Sequence, residues 1–249
     1  MIILKTQQQI NCMRECGKIV AEILDLLKTK IKPGITTLEL DRVADKCLKK
    51  NKAISAFKGY NGFPASICVS INHEVVHGIP RIDRVIKEAD IVSVDVGVKK
   101  NGYCGDAAYT YSAGDISEEK KKLINVAEIS LAKGIEQFTI GNRLYTLSHS
   151  IQQYVEKNGF SVVRDYVGHG IGRDLHEDPQ VPNYGRIGTG PIFKTGMVLA
   201  IEPMVNMGTY KTKVLPDGWT VVTEDGLASA HFEHTIALTE NGPEILTNG

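Results

Sequence analysis

Acidic residues interrupt apolar stretches of this chain that otherwise have the pattern of buried β-strands. The run Ile-Val-Ser-Val-Asp-Val-Gly contains a single carboxylate, Asp95, and the run Leu-Ala-Ile-Glu-Pro-Met-Val contains Glu202. An isolated carboxylate is costly to bury unless it is ion-paired, protonated or bound to a cation. No stretch supplies an obvious run of arginines as counter-charges. Four acids share this setting: Asp95, Asp106, Glu202 and Glu233.

Carboxylates combined with one or two imidazoles suit divalent cations, and shared carboxylates can hold two cations about 3.5–4 Å apart. Glycines flank His169, and they permit the close backbone approach and unusual dihedral angles of a ligand-bearing loop. Taken alone, each acid could equally be an edge residue or an ion-pair partner, and a lone histidine is usually structural. The sequence therefore predicts a metal centre on condition that these side chains converge.

Composition limits the class of protein. Of 249 residues, 42% are hydrophobic and 23% are charged, and the formal net charge is +0. These values exclude disorder and collagen, and they leave no global field that would attract nucleic acid or an anionic membrane. No apolar run approaches the ~18–20 residues of a membrane helix. Five cysteines without a C-x-x-C pair, and no signal peptide, predict reduced thiols and a cytoplasmic location.

Periodicity predicts an α+β fold. Four helices are expected, at 7–27, after a capping box formed by Thr36 and Glu39, after Ser117, and from about Asn142 to Asn158. Apolar strand regions are expected at 66–71, 91–98, 197–205 and 231–239, with a hairpin turn at 99–102. The order helix, helix, strands occurs twice, which indicates duplicated halves. No linker separates them, so residues 1–249 are predicted to form a single catalytic domain.

Two other catalytic motifs are missing. The segment from His169 to Gly172 lacks the remaining glycine of a dinucleotide fingerprint, and no strand–helix unit surrounds it. A Gly-x-Ser-x-Gly nucleophile elbow is absent from the sequence. Neither nicotinamide chemistry nor serine hydrolysis is therefore expected.

Seven motifs follow one another in a specific order over nearly the whole chain. They are SICVSINHEVVHGIP at 66–80, VSVDVG at 92–97, NGYCGDAA at 101–108, DYVGHGIGRDLHEDPQVPNYG at 165–185, VLAIEP at 198–203, DGWTVVTEDG at 217–226 and SAHFEHT at 229–235. Together they resemble the motifs of type I methionine aminopeptidases of the bacterial style, without an amino-terminal extension. The resemblance implies the pita-bread fold of the creatinase/aminopeptidase class, with pseudo-twofold duplicated halves around a central antiparallel sheet.

The resemblance also implies two divalent cations per chain, and Co, Mn, Fe or Zn would fit the donor types. Asp106 and Glu233 would bridge the cations, Asp95 would hold one, and His169 with Glu202 would complete the other. The implied reaction removes the initiator methionine from nascent polypeptides by attack of a metal-bridging hydroxide on the scissile carbonyl. The second residue of the substrate would be small (Gly, Ala, Ser, Thr, Cys, Pro or Val).

Further roles follow from the same resemblance. Glu202 would accept the proton of the water and return it to the leaving amine, His176 would donate a hydrogen bond to the developing oxyanion, and His77 would contact the peptide. Both histidines would thus be catalytic and substrate-binding. The apolar pocket for the methionine side chain would be lined by Tyr60, Phe63, Cys68, Leu175 and Trp219, although core packing explains several of these residues equally well.

Two alternatives remain open from the sequence. One is a prolidase or aminopeptidase P relative, which would usually carry an additional amino-terminal domain. The other is a binding module of the same fold without catalysis, which would lack the metal ligands. A monomer is expected, with no membrane association and no specific DNA binding. Transient ribosome contact is a further hypothesis, competing with simple solvation of two lysine runs: Lys46, Lys49, Lys50, Lys52 and Lys120, Lys121, Lys122.

Overall fold

The computed structural model describes residues 1–248 and contains four α-helices within them. Both helices of the first half begin with a capping box. Thr36 and Glu39 form the predicted one, and Thr6 with Gln9 forms another that the sequence analysis missed. Each box satisfies backbone N–H groups that a helix start leaves free. The helices are α1 (Gln7–Lys28), α2 (Thr37–Lys50), α3 (Glu118–Glu136) and α4 (Leu144–Lys157).

The strands pair antiparallel and form four small sheets within residues 1–248. They are β1 (Ile54–Ser55), β2 (Cys68–Ile71), β3 (Glu74–Val76), β4 (Asp90–Lys100), β5 (Tyr103–Ala113), β6 (Ser161–Val162), β7 (Gly168–Gly170), β8 (Glu177–Val181), β9 (Val198–Ile201), β10 (Met204–Asn206), β11 (Thr212–Val214), β12 (Val221–Thr223), β13 (Ser229–His231), β14 (His234–Thr239) and β15 (Gly242–Ile245). One sheet is built on β4, which pairs with β5, β2 and β1. Another has the order β15-β14-β9-β7-β8.

The long β4–β5 hairpin turns at Asn101 and Gly102, as the sequence predicted. Both residues have positive φ, 52° and 78°. A two-residue type I′ turn requires positive φ at both central positions, and its twist matches that of the flanking strands. Asn-Gly is the sequence that favours this turn most. The turn fixes the register of the hairpin over its full length.

Two of the predicted strand regions are interrupted at their acids. The region 197–205 divides into β9 and β10, with Glu202 and Pro203 between them. The region 231–239 belongs to β13 and β14, with Phe232 and Glu233 between them. The expectation that these two glutamates lie inside strands was therefore wrong. Pro203 has no N–H to donate to a ladder, which gives a local reason for the first interruption.

The helices cover the sheets in two large hydrophobic clusters. In the first, α1 packs on α2, β4 and β5, and α2 also packs on β1, around residues such as Met13, Leu24 and Val94. In the second, α3 and α4 pack on each other, α3 packs on β9, β10 and β13, and α4 packs on β6, around residues such as Leu147 and Ile201. The duplicated arrangement predicted from the order of elements is thus present.

Backbone hydrogen bonds join the two halves where β5 passes the gap between β13 and β14. The N–H of Glu233 donates to the carbonyl of Ala108 at 2.8 Å, and the N–H of Ala108 donates back at 3.4 Å. Two residues along, Thr235 Oγ1 accepts from the N–H of Asp106 at 2.9 Å and donates to its carbonyl at 2.8 Å. These contacts hold Asp106 and Glu233 side by side.

Three further observations bear on the sequence predictions. All five cysteines are free, as predicted from the missing C-x-x-C pair and signal peptide. No helix within residues 1–248 is both long enough and apolar enough to span a bilayer. The fourth helix begins at Leu144, two residues after its expected start at Asn142.

Two helical glycines provide a matched test of this packing. A Cβ at Gly17 of α1 would lie 2.0 Å from the carbonyl oxygen of Leu246, whereas a Cβ at Gly134 of α3 would meet the flexible end of Ile151 at 2.8 Å. Alanine gains about 1 kcal/mol of helix propensity at either site. We expect Gly17→Ala to lower the free energy of unfolding by about 1–3 kcal/mol, because backbone cannot move aside as a side chain can.

Chemical denaturation followed by circular dichroism measures both variants. Gly134→Ala should remain within about 1 kcal/mol of the parent protein. Equal effects of the two substitutions would contradict the close approach of α1 to the carboxyl-terminal strand.

Candidate metal centre and active-site cavity

One cavity of about 220 Å³ brings together every site residue predicted from the sequence. Acids and imidazoles line one part of it, and apolar side chains line another. Two further residues, Phe57 and Asn61, also face it. The predicted members are Tyr60, Phe63, Cys68, His77, Asp95, Asp106, His169, Leu175, His176, Glu202, Trp219 and Glu233.

The register of the β4–β5 hairpin places Asp95 and Asp106 on the same face. Asp95 pairs with Ala108, and Asp106 pairs with Gly97. Side chains two residues apart along a strand point to the same side, so the two carboxylates are diagonal neighbours. Asp95 and Asp106 are eleven residues apart in the sequence, and the tight turn between them brings their carboxylates together.

Glu233 reaches the same point from the other half of the chain. Its backbone exchanges two hydrogen bonds with Ala108, the residue that also pairs with Asp95 in the hairpin. The small side chain of Ala108 is fully buried. It leaves room for the carboxylates of its neighbours.

His169 lies at the centre of the short strand β7 and pairs with Ala200 of β9. The expectation that it lies in a loop with unusual dihedral angles was wrong. The close backbone approach was correct, because a Cβ at Gly168 would lie 2.4 Å from the carbonyl oxygen of Ala200, and one at Gly170 would lie 2.1 Å from that of Asp178. The glycines therefore serve tight strand packing around the imidazole.

The tautomer of His169 follows from its hydrogen bond. Its Nδ1 lies 2.9 Å from the carbonyl oxygen of Gly170, which can only accept, so Nδ1 carries the proton. The lone pair of Nε2 consequently faces the acids. Nε2 lies 3.6 Å from Oε1 of Glu202 and 4.0 Å from Oδ2 of Asp106.

Asp106, His169 and Glu233 offer ligand atoms that all lie within 4.8 Å of one another, and all three residues are buried. Oδ1 of Asp95, Oδ1 of Asp106 and Oε1 of Glu233 are buried without a hydrogen-bond partner. Within residues 1–248, the ion-pair partners of this carboxylate cluster are histidines alone. Orphaned carboxylate oxygens around a neutral imidazole are the donor set that a divalent cation requires.

Burial and mutual repulsion disfavour the charged forms of these acids. Burial raises the pKa of Asp95 to about 6 and that of Glu202 to about 8. Burial and the neighbouring carboxylates together raise the pKa of Asp106 and that of Glu233 well above their ordinary values. Burial also lowers the pKa of His169 to about 3, so its imidazole does not offset the negative charge. A cation would reverse this balance by displacing the protons.

His176 stands beside His169 at the mouth of the cavity, with the ring centroids 4.3 Å apart. Its Nδ1 lies 2.7 Å from the hydroxyl of Tyr60. Tyr60, predicted as a substrate contact, therefore also orients this imidazole. Burial lowers the pKa of His176.

A buried ion pair fixes the loop that carries His176. Lys5 Nζ donates to Oε2 of Glu177 at 2.5 Å, and both side chains are almost fully buried. The other oxygen of Glu177 accepts from the backbone N–H of Arg173 at 2.9 Å and of Asp174 at 3.4 Å. The amino-terminal segment thus contributes to the position of the site.

His77 follows β3 with a left-handed φ of 59°. A non-glycine residue in this conformation is strained, and such strain is concentrated at functional sites. The ring lies 6.3 Å from that of Trp219 and 5.7 Å from that of Tyr166, centroid to centroid. Burial lowers the pKa of His77 to about 4, so it is neutral at pH 7.

Apolar side chains form the other part of the cavity. The rings of Phe63 and Trp219 meet edge to face at 5.1 Å, and the turn at Asp217 holds Trp219 by accepting its N–H at 2.9 Å. Cys68 lies opposite Asp95 in the sheet, so it is the point where the apolar and acidic parts meet. Leu175 is buried beside them.

The sequence analysis missed three residues at the site. Phe57 occupies the space left by the absent side chain of Gly97, where a Cβ would lie 2.4 Å from its ring. Asn61 lies in the short 3₁₀ turn Tyr60–Gly62. His231 directs Nε2 at Glu202. Its position two residues before Glu233 was a signal for His231, because alternate residues of an extended segment share a face.

Comparisons with known proteins agree with these observations. The profile of metallopeptidase family M24 matches residues 11–240. The chain is 60% identical over 247 residues to a methionine aminopeptidase of Clostridium acetobutylicum, with 99% of each chain covered. A crystal structure of a methionine aminopeptidase from Thermotoga maritima superposes with a TM-score of 0.99 at 51% identity, with 100% of both chains covered.

The alternatives considered from the sequence fit less well. Prolidase from Pyrococcus furiosus superposes with a TM-score of 0.78 at 23% identity, and the match covers 99% of this chain but 66% of that one. This likeness shows the shared pita-bread fold alone. The aminopeptidases share both the fold and more than half of the sequence. The chain therefore belongs to metallopeptidase family M24 and, within it, to the methionine aminopeptidases.

Proposed function

We propose that this enzyme removes the initiator methionine from nascent polypeptides whose second residue is small. One observation carries the proposal: four carboxylates and an imidazole meet beside an apolar cavity, and three of the carboxylate oxygens have no partner. A site of this kind can bind cations and a substrate side chain next to each other.

Two divalent cations would fit the donor set, with Co, Mn, Fe and Zn all compatible. Asp106 and Glu233 would be shared ligands, Asp95 would hold one cation, and His169 with Glu202 would hold the other. Bound there, divalent cations supply Lewis-acid chemistry, because they acidify water and polarise a carbonyl group.

Glu202 is the proposed proton carrier. Its carboxylate lies at the wall of the cavity, next to the other proposed cation ligands. A carboxylate within reach of the attacking water can accept a proton and later release it. Glu202 would take a proton from the attacking water and deliver it to the leaving amine.

His176 and His77 would act on the substrate. Because Tyr60 engages Nδ1 of His176, the opposite nitrogen of the ring is left to donate to the oxygen that becomes negative during attack. His77 would contact the peptide beyond the scissile bond.

The apolar part of the cavity would hold the methionine side chain. Phe63, Cys68, Leu175 and Trp219 supply a wall of modest size, and Tyr60 closes its edge. We infer tolerance of Gly, Ala, Ser, Thr, Cys, Pro and Val at the second position from the family resemblance. Residues 1–249 would act as one catalytic domain, since both halves contribute to the cavity.

We propose that the enzyme is a cytoplasmic monomer that meets its substrates near the ribosome. The second lysine run has internal partners: Lys120 donates to Asn72, Lys121 pairs with Glu118, and Lys122 donates to the carbonyl of Asn158. In the first run, Lys46, Lys49 and Lys52 are exposed. Ribosome contact therefore fits the first run better.

Replacement of the proposed proton carrier tests the reaction. We expect Glu202→Gln to lower kcat for the peptide Met-Gly-Met-Met by about 10²–10⁴-fold, because the amide cannot accept the proton. Release of free methionine in the presence of added Mn²⁺ or Co²⁺ is the measurement, with the exposed Glu224→Gln variant as the control. Activity of Glu202→Gln near that of the parent enzyme would remove this residue from the proton transfer. Failure of the parent enzyme with every divalent metal would contradict the proposed function.

Metal-linked stability tests the centre without any assay of activity. A divalent cation at about 100 times its Kd should stabilise the metal-free protein by about 2.7 kcal/mol. Glu233→Gln should lose most of this gain, because it removes a charged ligand. The metal-free variant should be at least as stable as the metal-free parent, because it removes the cost of burying a carboxyl group among other acids.

Asp41→Asn is the matched control for this experiment. Asp41 is also buried, but it accepts the backbone N–H groups of Ser66 and Ile67. This variant should unfold more easily and retain the full metal-dependent gain. Thermal melts with and without metal distinguish the two variants, and an undiminished gain in Glu233→Gln would contradict the ligand assignment.

A further inference from the structure

His231 is a buried imidazole next to the site that the reaction described above does not use. It ends β13 with 1% of its surface exposed, and its Nε2 has no hydrogen-bond partner. Its backbone is held on both sides by Thr110, whose hydroxyl accepts the N–H of His231 and donates to its carbonyl, each at 2.9 Å. The backbone of His231 is therefore held by hydrogen bonds that do not involve its ring nitrogens.

The carboxylate of Glu202 lies between two imidazoles, with one oxygen toward each. Oε1 lies 3.6 Å from Nε2 of His169, and Oε2 lies 3.7 Å from Nε2 of His231. The two contacts differ in kind. Nε2 of His169 presents a lone pair, so a cation, or a proton on Oε1, has to join those two atoms. Nε2 of His231 is free to carry a proton.

We propose that His231 is a positioning residue for Glu202, donating a hydrogen bond from Nε2 to Oε2. The present separation is longer than a hydrogen bond, and contacts of this kind often tighten only when a site is loaded. A cation held between Oε1 and His169 would fix one end of the carboxylate, and the N–H of His231 would fix the other. Glu202 would then be oriented toward the water whose proton it takes.

A neighbouring histidine shows what a structural imidazole looks like in the same segment. His234 is also buried, and both of its nitrogens have partners, with Nε2 2.9 Å from the hydroxyl of Tyr109 and Nδ1 2.8 Å from that of Thr247. These contacts tie β14 to β5 and to the carboxyl-terminal residues. His231 has no such partner for Nε2 and directs that atom at a carboxylate instead.

The experiment compares two substitutions of His231 in the full-length enzyme. His231→Gln keeps an N–H donor at about the position of Nε2, whereas His231→Leu keeps the bulk and removes the donor. His234→Gln serves as the control for disturbance of a buried histidine. The readouts are kcat and KM for Met-Gly-Met-Met, the Kd and number of bound Co²⁺ ions from calorimetry, the visible spectrum of the bound Co²⁺, and the melting temperature.

We expect His231→Leu to lower kcat about 10–100-fold with KM nearly unchanged, and to weaken binding of Co²⁺ and alter its spectrum, as loss of a residue that orients a ligand does. His231→Gln should restore kcat, affinity and spectrum to within about threefold of the parent. His234→Gln should lower the melting temperature while kcat and the spectrum stay at parental values.

Other results would overturn the inference. If His231→Leu and His231→Gln lower kcat and Co²⁺ affinity equally, the packing of the side chain matters and its N–H donor does not. If His231→Leu keeps the kcat, Co²⁺ affinity and spectrum of the parent, Glu202 does not need His231 for its position. If His231→Leu binds one Co²⁺ ion fewer than the parent, His231 is a metal ligand. The inference rests on the proposed function, but different results contradict them. An inactive parent enzyme contradicts the proposed function. An active parent enzyme with unaffected His231 variants contradicts only the role of His231.

Discussion

Uncompensated negative charge is the constraint on which the rest of this structure depends. Four carboxylates converge from distant parts of the chain, and no lysine or arginine within residues 1–248 pairs with them. Concentrating like charges in a poorly solvated place opposes folding unless protons or cations neutralise them. The four carboxylates nevertheless cluster at one site, and that site lies next to the apolar part of the cavity.

Each half of the fold uses a small buried alanine to bring the side chains of the site close together. In the first half, Ala108 lies opposite Asp95 in the hairpin and bonds to the backbone of Glu233. In the second half, Ala200 lies opposite both His169 and Thr235. A small buried residue at the centre of each sheet lets polar side chains on either side approach one another. The proposed ligands are thus held by backbone ladders.

Local patterns in the sequence predicted the parts of the site that depend on local geometry. The strand at 91–98 and the hairpin turn at 99–102 were predicted, and the register of that hairpin in the structure places Asp95 and Asp106 on one face. Glu202 and Glu233 were expected inside strands, and they lie at interruptions where β9 passes to β10 and β13 passes to β14. Hydropathy does not distinguish a strand from a break within one, since both are buried here. The bond between Ala108 and Glu233 joins distant segments, so no pattern along the chain specifies it. The position of His231 two residues before Glu233 was a local signal, but its contact with Glu202 joins distant segments and could not be predicted in the same way.

The most direct test of the account is crystallographic. Crystals of the protein grown with Mn²⁺ and measured on both sides of the manganese absorption edge would locate the ions without reference to activity. The account predicts anomalous peaks within coordination distance of Asp106, Glu233 and His169. An empty cluster at saturating Mn²⁺, with the carboxylates protonated and bonded to one another, would contradict it.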